Sequence, residues 1–301
     1  MNKNIESSPT EIVRDEQFQN LETRKHLYEK IEKLLDLPVV AFYTSFIYPV
    51  MIEDNDAIEL ESFLKNLKFN TSFTMLLNSP GGSGLAAERI INICRTYSGT
   101  GRYSVIVPGK AKSAATMICF GSEKIYMGTT AELGTIDPQL SIIEDGKPKW
   151  FSLHNLVKSY EKLFNEAVNT KGNLQPYLLQ LSNYDAREIE EFRSAIELSN
   201  DIAIKYLKTG MLLNKSEEEI KSYIEVFLNP ESVKDHGRPI NANEVKNFSL
   251  LNVEVFDKNN EIWDLIYELH VRINNFVSTN NRAKCIECKS KSLFSSFDRK
   301  S

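Results

Sequence analysis

The order of apolar and polar residues divides the chain into short blocks. "PVVAFYTSF" (38–46), "SFTMLLN" (72–78), "YSVIVPG" (103–109) and "KIYMG" (124–128) are apolar runs of strand length. Between them lie stretches with helical spacing: "NDAIELESFLKNL" (55–67), capped by Asn55 or Asp56, then "GLAAERIINICRTY" (84–97) and "SAATMICFG" (113–121). Strands alternating with helices of this length predict an α/β architecture around a mostly parallel sheet. Right-handed crossovers then bring loops 78–83 and 109–114 to the carboxyl end of that sheet, where open α/β sheets form their ligand sites.

The flanks read differently. Residues 1–36 are charged, with Leu21, Leu27, Ile31 and Leu34 at helical spacing, and predict an N-terminal helical accessory segment. The principal domain is expected over 37–277. Within it, 153–228 is strongly helical and predicts an arm or layer, followed by a strand in "LNVEVFD" (251–257) and a helix in "NEIWDLIYELHVRINNFV" (260–277). From 278 to 301 the sequence turns polar and basic, which predicts a flexible tail. No internal repeat of fixed period is present.

Composition narrows the classes of function. With 301 residues, 42% of them hydrophobic, the chain can bury a sizeable core. A net charge of −5 without a basic stripe argues against nucleic acid as a partner. No apolar run of about 18 residues occurs, and the first residues lack an apolar core, so a cytoplasmic protein without a membrane span is expected. A peripheral membrane or ATPase partner stays open. Cys94 and Cys119 lie in apolar runs as buried thiols, while Cys285 and Cys288 form a single Cys-x-x-Cys. That pair falls short of the roughly four ligands of a structural zinc site, and neither metal nor cofactor is expected. His26 and His270 sit in helical patterns and read as solvated positions.

Chemistry concentrates at "LLNSPGGSGLAAERI" (76–90), where an apolar strand runs into Pro-Gly-Gly and then a helix. The glycines either shape a tight turn or bring backbone N–H groups close to negative charge. Ser113, 31 positions beyond Gly82, occupies the next strand-to-helix turn in "PGKAKSAAT". There its Oγ is exposed, and the Ala114 N–H faces the same space as that of Gly81 or Gly82, which together describe an oxyanion hole. The competing reading makes Ser113 a plain helix N-cap.

"NSPGGSGLAAERI" followed by "KSAATMICFGSEKIYMGTTAELGTIDPQ" resembles the ClpP/crotonase superfamily. Within it, the chain is similar to the ClpP-class serine peptidases called serine dehydrogenase proteinase-like, relatives of signal peptide peptidase SppA. The likeness is strong over 72–140 and weaker over 230–256. It implies a ClpP/crotonase-like spiral of ββα units with a protruding helical arm used in oligomerisation. It also implies a nucleophile at Ser113, oxyanion amides near Gly81, Gly82 and Ala114, a peptide or protein substrate, and a homo-oligomer.

A serine hydroxyl needs a base. Clp-type peptidases place a histidine where this chain has Ile136 or Asp137, whereas the related membrane-protease group carries a lysine whose counterpart here is His154, 41 positions beyond Ser113. His154 is therefore the expected base, because a neutral imidazole accepts a proton near pH 7. Lys149, Lys147 and Lys158 are substitutes if desolvated, and Lys112 is expected to project away from Oγ. The resemblance points to Asp235, with neighbouring His236, as the orienting group. Asp137 is expected near the site, binding substrate backbone or capping the turn before Pro138. Two rivals remain: an inactive oligomeric scaffold of the same fold, and a crotonase-type acyl-CoA enzyme, which would not need Ser113.

Overall fold

Every residue of β1 (Val39–Thr44), β2 (Phe73–Asn78) and β3 (Tyr103–Val107) is buried, as expected of parallel strands covered on both faces. The computed structural model describes residues 8–16, 20–47, 50–229, 239–248, 250–279 and 282–296. These strands join β5 (Lys124–Gly128) and β10 (Val253–Phe256) in a parallel run of order β10-β5-β3-β2-β1. Alternate side chains take opposite faces. Val40, Phe42, Met75, Leu77, Val105 and Val107 pack with α3 (Asp54–Lys65), α4 (Gly84–Tyr97) and α5 (Ala114–Phe120). Val39, Ala41, Tyr43, Leu76 and Ile106 face α2 (Glu22–Leu35) and a long helix near the C-terminus, Glu261–Ser278.

A second, smaller layer explains the winding. β4 (Lys110–Ala111), β6 (Glu132–Leu133) and β9 (Ile240–Asn241) form a three-stranded sheet, and single bridges extend it through Ser79 to Ala111 and Ile52 to Gly82. Each of the first three turns of chain thus gives one strand to the large sheet, a short extended piece to the small layer, and then a helix. That is a spiral of ββα units in an α/β fold.

The helical stretch begins with a hairpin that the sequence pattern did not announce, β7 (Gln139–Glu144) and β8 (Lys147–Ser152). Then follow α6 (Leu153–Asn169), α7 (Gln175–Leu181) and α8 (Ala186–Lys208). Leu153, Val157 and Ile196 make a small core of their own. The far end of α8 returns through Ile202, Ala203 and Leu207 to the main core, which anchors that end of the arm. α9 (Glu217–Leu228) and α10 (Ala242–Phe248) lead to β10, and Glu261–Ser278 is α11. A short α1 (Pro9–Asp15) precedes α2.

Two expectations are corrected. The segment from 278 onward is not a flexible tail over its described part: β11 (Arg282–Cys288) and β12 (Lys291–Ser296) form a hairpin, with β11 antiparallel to β1. The polar composition misleads because its charges are paired on burial. Glu287, fully buried, receives the Arg24 guanidinium at 2.7 and 2.5 Å and the Tyr28 hydroxyl at 3.2 Å, and Lys284 meets Asp56 at 2.7 Å. His270 is likewise no solvated position, since its Nδ1 shares a 3.0 Å hydrogen bond with the Tyr43 hydroxyl. His26 is exposed, and all four cysteines are buried and free. Among the described residues, no helix is long and apolar enough to cross a membrane.

Candidate active site

The two turns singled out in sequence are joined by backbone. Ser79 N–H donates to the Lys110 carbonyl at 3.0 Å, and Lys112 N–H donates back to the Ser79 carbonyl at 3.1 Å. Asn78 Oδ1 accepts the Lys110 N–H at 2.9 Å. On its other side the diglycine pairs with Ile52, whose N–H donates to the Gly81 carbonyl at 2.7 Å and whose carbonyl accepts from Ser83 at 2.8 Å. Both glycines are required sterically. A Cβ on Gly81 (φ 102°) would stand 2.5 Å from the Lys112 carbonyl oxygen and 2.8 Å from Ser113 Cβ. One on Gly82 (φ 152°) would stand 2.3 Å from Ile52 N, and either φ is costly for a residue with a side chain.

Ser113 stands at the start of α5 with φ 49° and ψ −116° and makes no capping hydrogen bond. The plain N-cap reading fails on that observation. Such a backbone costs roughly 1–3 kcal/mol and persists only where its surroundings impose it. Here the surroundings are the Ser79 bridge before the turn and, after it, the Thr116 hydroxyl, 2.9 Å from the carbonyls of both Ala111 and Gly134. Gly81, at van der Waals range of Ser113, has its N–H engaged by Ser79 Oγ at 3.1 Å. No hydrogen bond is made by the Gly82 or Ala114 amide among the described residues. These two remain as the donors an oxyanion could use.

The other candidates are placed as follows. Lys112 turns away from the serine toward β6, with its ammonium 2.8 Å from Glu132. Burial lowers its pKa and the Glu132 carboxylate opposes that shift. Asp137 is buried between β6 and β7. Lys149 lies on the exposed hairpin, 2.8 Å from Glu144, and Lys147 is exposed on the same hairpin. His154, second residue of α6, is half-buried, with Nε2 sealed from solvent and without a hydrogen-bond partner. It lines a cleft of about 400 Å³ with Val157, Lys158, Glu161, Asn200, Leu228 and Asn229. No hydrogen bond joins His154 to Ser113. Asp235 and His236 lie outside the described residues.

A family profile described as ClpP-like SDH-type serine proteinase matches residues 13–162, which include both turns, Ser113 and His154. The matched region belongs to this family. Two curated relatives are uncharacterised proteins of Methanocaldococcus jannaschii. MJ0137 is 33% identical over 118 residues, 39% of this chain and 37% of its own; MJ1495 is 24% identical over 158 residues, 52% of this chain and 46% of its own. The chain thus spans less than half the length of either. A solved structure, a ClpP1 mutant from Listeria monocytogenes, aligns over 77% of this chain and 99% of its own at 17% identity, with a TM-score of 0.40.

Within that matched region the chain brings together Ser113, Gly81, Gly82 and Ala114. Sequence reasoning missed three supports of that group: the backbone of Ile52 and the hydroxyls of Thr44 and Ser79, which lie 2.7 Å apart and are fully buried. Ser79 is inside the quoted "NSPGG", so a buried hydroxyl two residues before the turn was the available signal. For Ile52 no side-chain signal exists, because its backbone does the work.

Proposed function

We propose that the chain is a serine peptidase that cleaves peptide bonds by acyl transfer. Ser113 Oγ attacks the scissile carbonyl, the Gly82 and Ala114 amides stabilise the oxyanion, and an acyl-enzyme on Ser113 is released by water. His154 accepts the serine proton and returns it to the leaving amine. Its bare, buried Nε2 supports that role, and bases that lack a tight hydrogen bond in the free enzyme commonly gain it when substrate closes the site. Asp235, or His236 beside it, is the proposed orienting group. Asp137 is assigned to the substrate backbone, and the expected assembly is a homo-oligomer acting on peptide or protein.

The observation carrying this reading is the strained turn at Ser113, set against a side-chain-free turn with a spare amide. A hydroxyl used for capping or packing needs neither. The test is treatment of the intact protein with a fluorophosphonate, read by mass spectrometry, beside peptide turnover. We expect modification at Ser113, and expect Ser113→Ala to keep its thermal unfolding midpoint while losing label and turnover by at least about a thousandfold. Turnover by Ser113→Ala at the wild-type rate would refute the nucleophile.

The observation favouring the scaffold reading is that, among the described residues, no base is hydrogen-bonded to Ser113. Unlabelled Ser113 in the folded wild-type protein selects that reading.

A further inference from the structure

We infer that the Ser79 hydroxyl is a positioning residue that aims the Gly82 amide at the oxyanion, a role that rests on the acyl-transfer reading above. In a trans peptide the N–H and C=O point in opposite directions. The Gly81 carbonyl faces the Ile52 N–H at 2.7 Å, so the Gly82 N–H of the same peptide points away from Ile52. Glycines flank that peptide on both sides, and without Cβ atoms they leave it free to rotate. Rotation would aim a carbonyl where the amide must stand.

Two contacts oppose rotation. One is the Ile52 N–H, which is backbone. The other is the Ser79 hydroxyl, which accepts the Gly81 N–H at 3.1 Å and so fixes the preceding peptide. Ser79 Oγ is itself 2.7 Å from Thr44 Oγ1, and both residues are fully buried. The hydroxyl pair therefore ties the end of β1 to the diglycine turn. The backbone of Ser79 holds the neighbouring turn separately through Lys110 and Lys112, so deleting the side chain leaves the bridge between the two turns in place. What it removes is the acceptor under Gly81.

The experiment measures phosphonylation of Ser113 by a fluorophosphonate in the full-length protein, separating the maximal inactivation rate from the half-saturating concentration. The phosphoryl oxygen of the probe occupies the oxyanion position. For Ser79→Ala we expect the maximal rate to fall by about tenfold to a hundredfold, below the 10²–10³ of losing a donor outright, with half-saturation changed less than about twofold. Thr44→Val, which keeps Ser79 but frees its hydroxyl, is expected to lose several-fold in the same rate and serves if Ser79→Ala does not fold. A wild-type maximal rate in the folded Ser79→Ala or Thr44→Val protein, or a loss confined to half-saturation, overturns the positioning role while leaving the acyl-transfer reading standing. A wild-type protein inert to the probe removes that reading and the positioning role with it.

Discussion

The turn pair at Ser79–Ser113 stays partly open to solvent at Gly82 and Ser113, whereas the β1–β11 pair near the sheet edge is mostly buried, and the two are held by different means. The turns are fixed by main chain: Ser79 to Lys110 and Lys112, Ile52 to Gly81 and Ser83. The edge has a backbone ladder between β1 and β11, but its burial also depends on side chains far apart in sequence, chiefly Arg24 and Glu287, 263 positions from one another. Backbone bonds tolerate exchange of side chains but not the addition of a Cβ where the chains touch, whereas a buried ion pair tolerates no loss of either partner. The two regions should therefore fail in opposite ways.

The largest effect is expected at the edge. Glu287→Ala leaves the fully buried Arg24 guanidinium without its carboxylate, a change that costs about 3–5 kcal/mol. Urea unfolding followed by circular dichroism reads the loss. A change below about 0.5 kcal/mol would mean that the hairpin contributes as little as a disordered tail.

Gly82→Ala tests the other side of the comparison. Its Cβ would meet Ile52 N at 2.3 Å and Ile52 O at 2.4 Å, both backbone atoms that cannot swing aside. The turn must move, and with it the Gly82 amide proposed as an oxyanion donor. We expect fluorophosphonate labelling at Ser113 to slow by about 10²–10³-fold, equivalent to about 2.7–4 kcal/mol in the barrier, with far-ultraviolet circular dichroism unchanged. Labelling at the wild-type rate would show that Gly82 is not a donor.

The same contrast explains what the sequence could tell. Covered parallel strands such as "SFTMLLN" are mostly apolar on both faces, and α4 repeats at helical spacing, so both are visible in a short window. Gly81, Gly82, Ser113 and Ala114 are visible because turn chemistry is local. The two-residue strands β4, β6 and β9 are too short to show a period. β11 reads as polar because Lys284 and Glu287 count against burial until Asp56 and Arg24 are brought to them, and no window contains both members of either pair. The base is hidden for a related reason. Spacing along the chain places His154 on α6 but does not give its distance from Ser113.

The smallest effect concerns the residue that links the two regions. α11 packs on β11 and inserts His270 behind the turn pair: a Cβ on Gly109 would lie 3.1 Å from the imidazole and 2.9 Å from Asn78 Oδ1. Burial alone lowers the His270 pKa to about 4, below the 6.5 of a solvated histidine. The native state therefore resists a proton that the unfolded chain accepts. Its contribution to stability is whole above pH 6.5, declines as the pH falls below that value, and is lost near pH 4. The whole shift corresponds to about 3–4 kcal/mol, most of it falling between pH 6.5 and 4. His270→Gln keeps an acceptor for the Tyr43 hydroxyl but does not titrate. Carboxylates common to both proteins cancel in the difference, so wild type should lose about 2–3 kcal/mol more than the variant between pH 6.5 and 4 in urea titrations. Parallel curves would show that the imidazole is hydrated, and would detach the packing behind Gly109 from the strength of the edge.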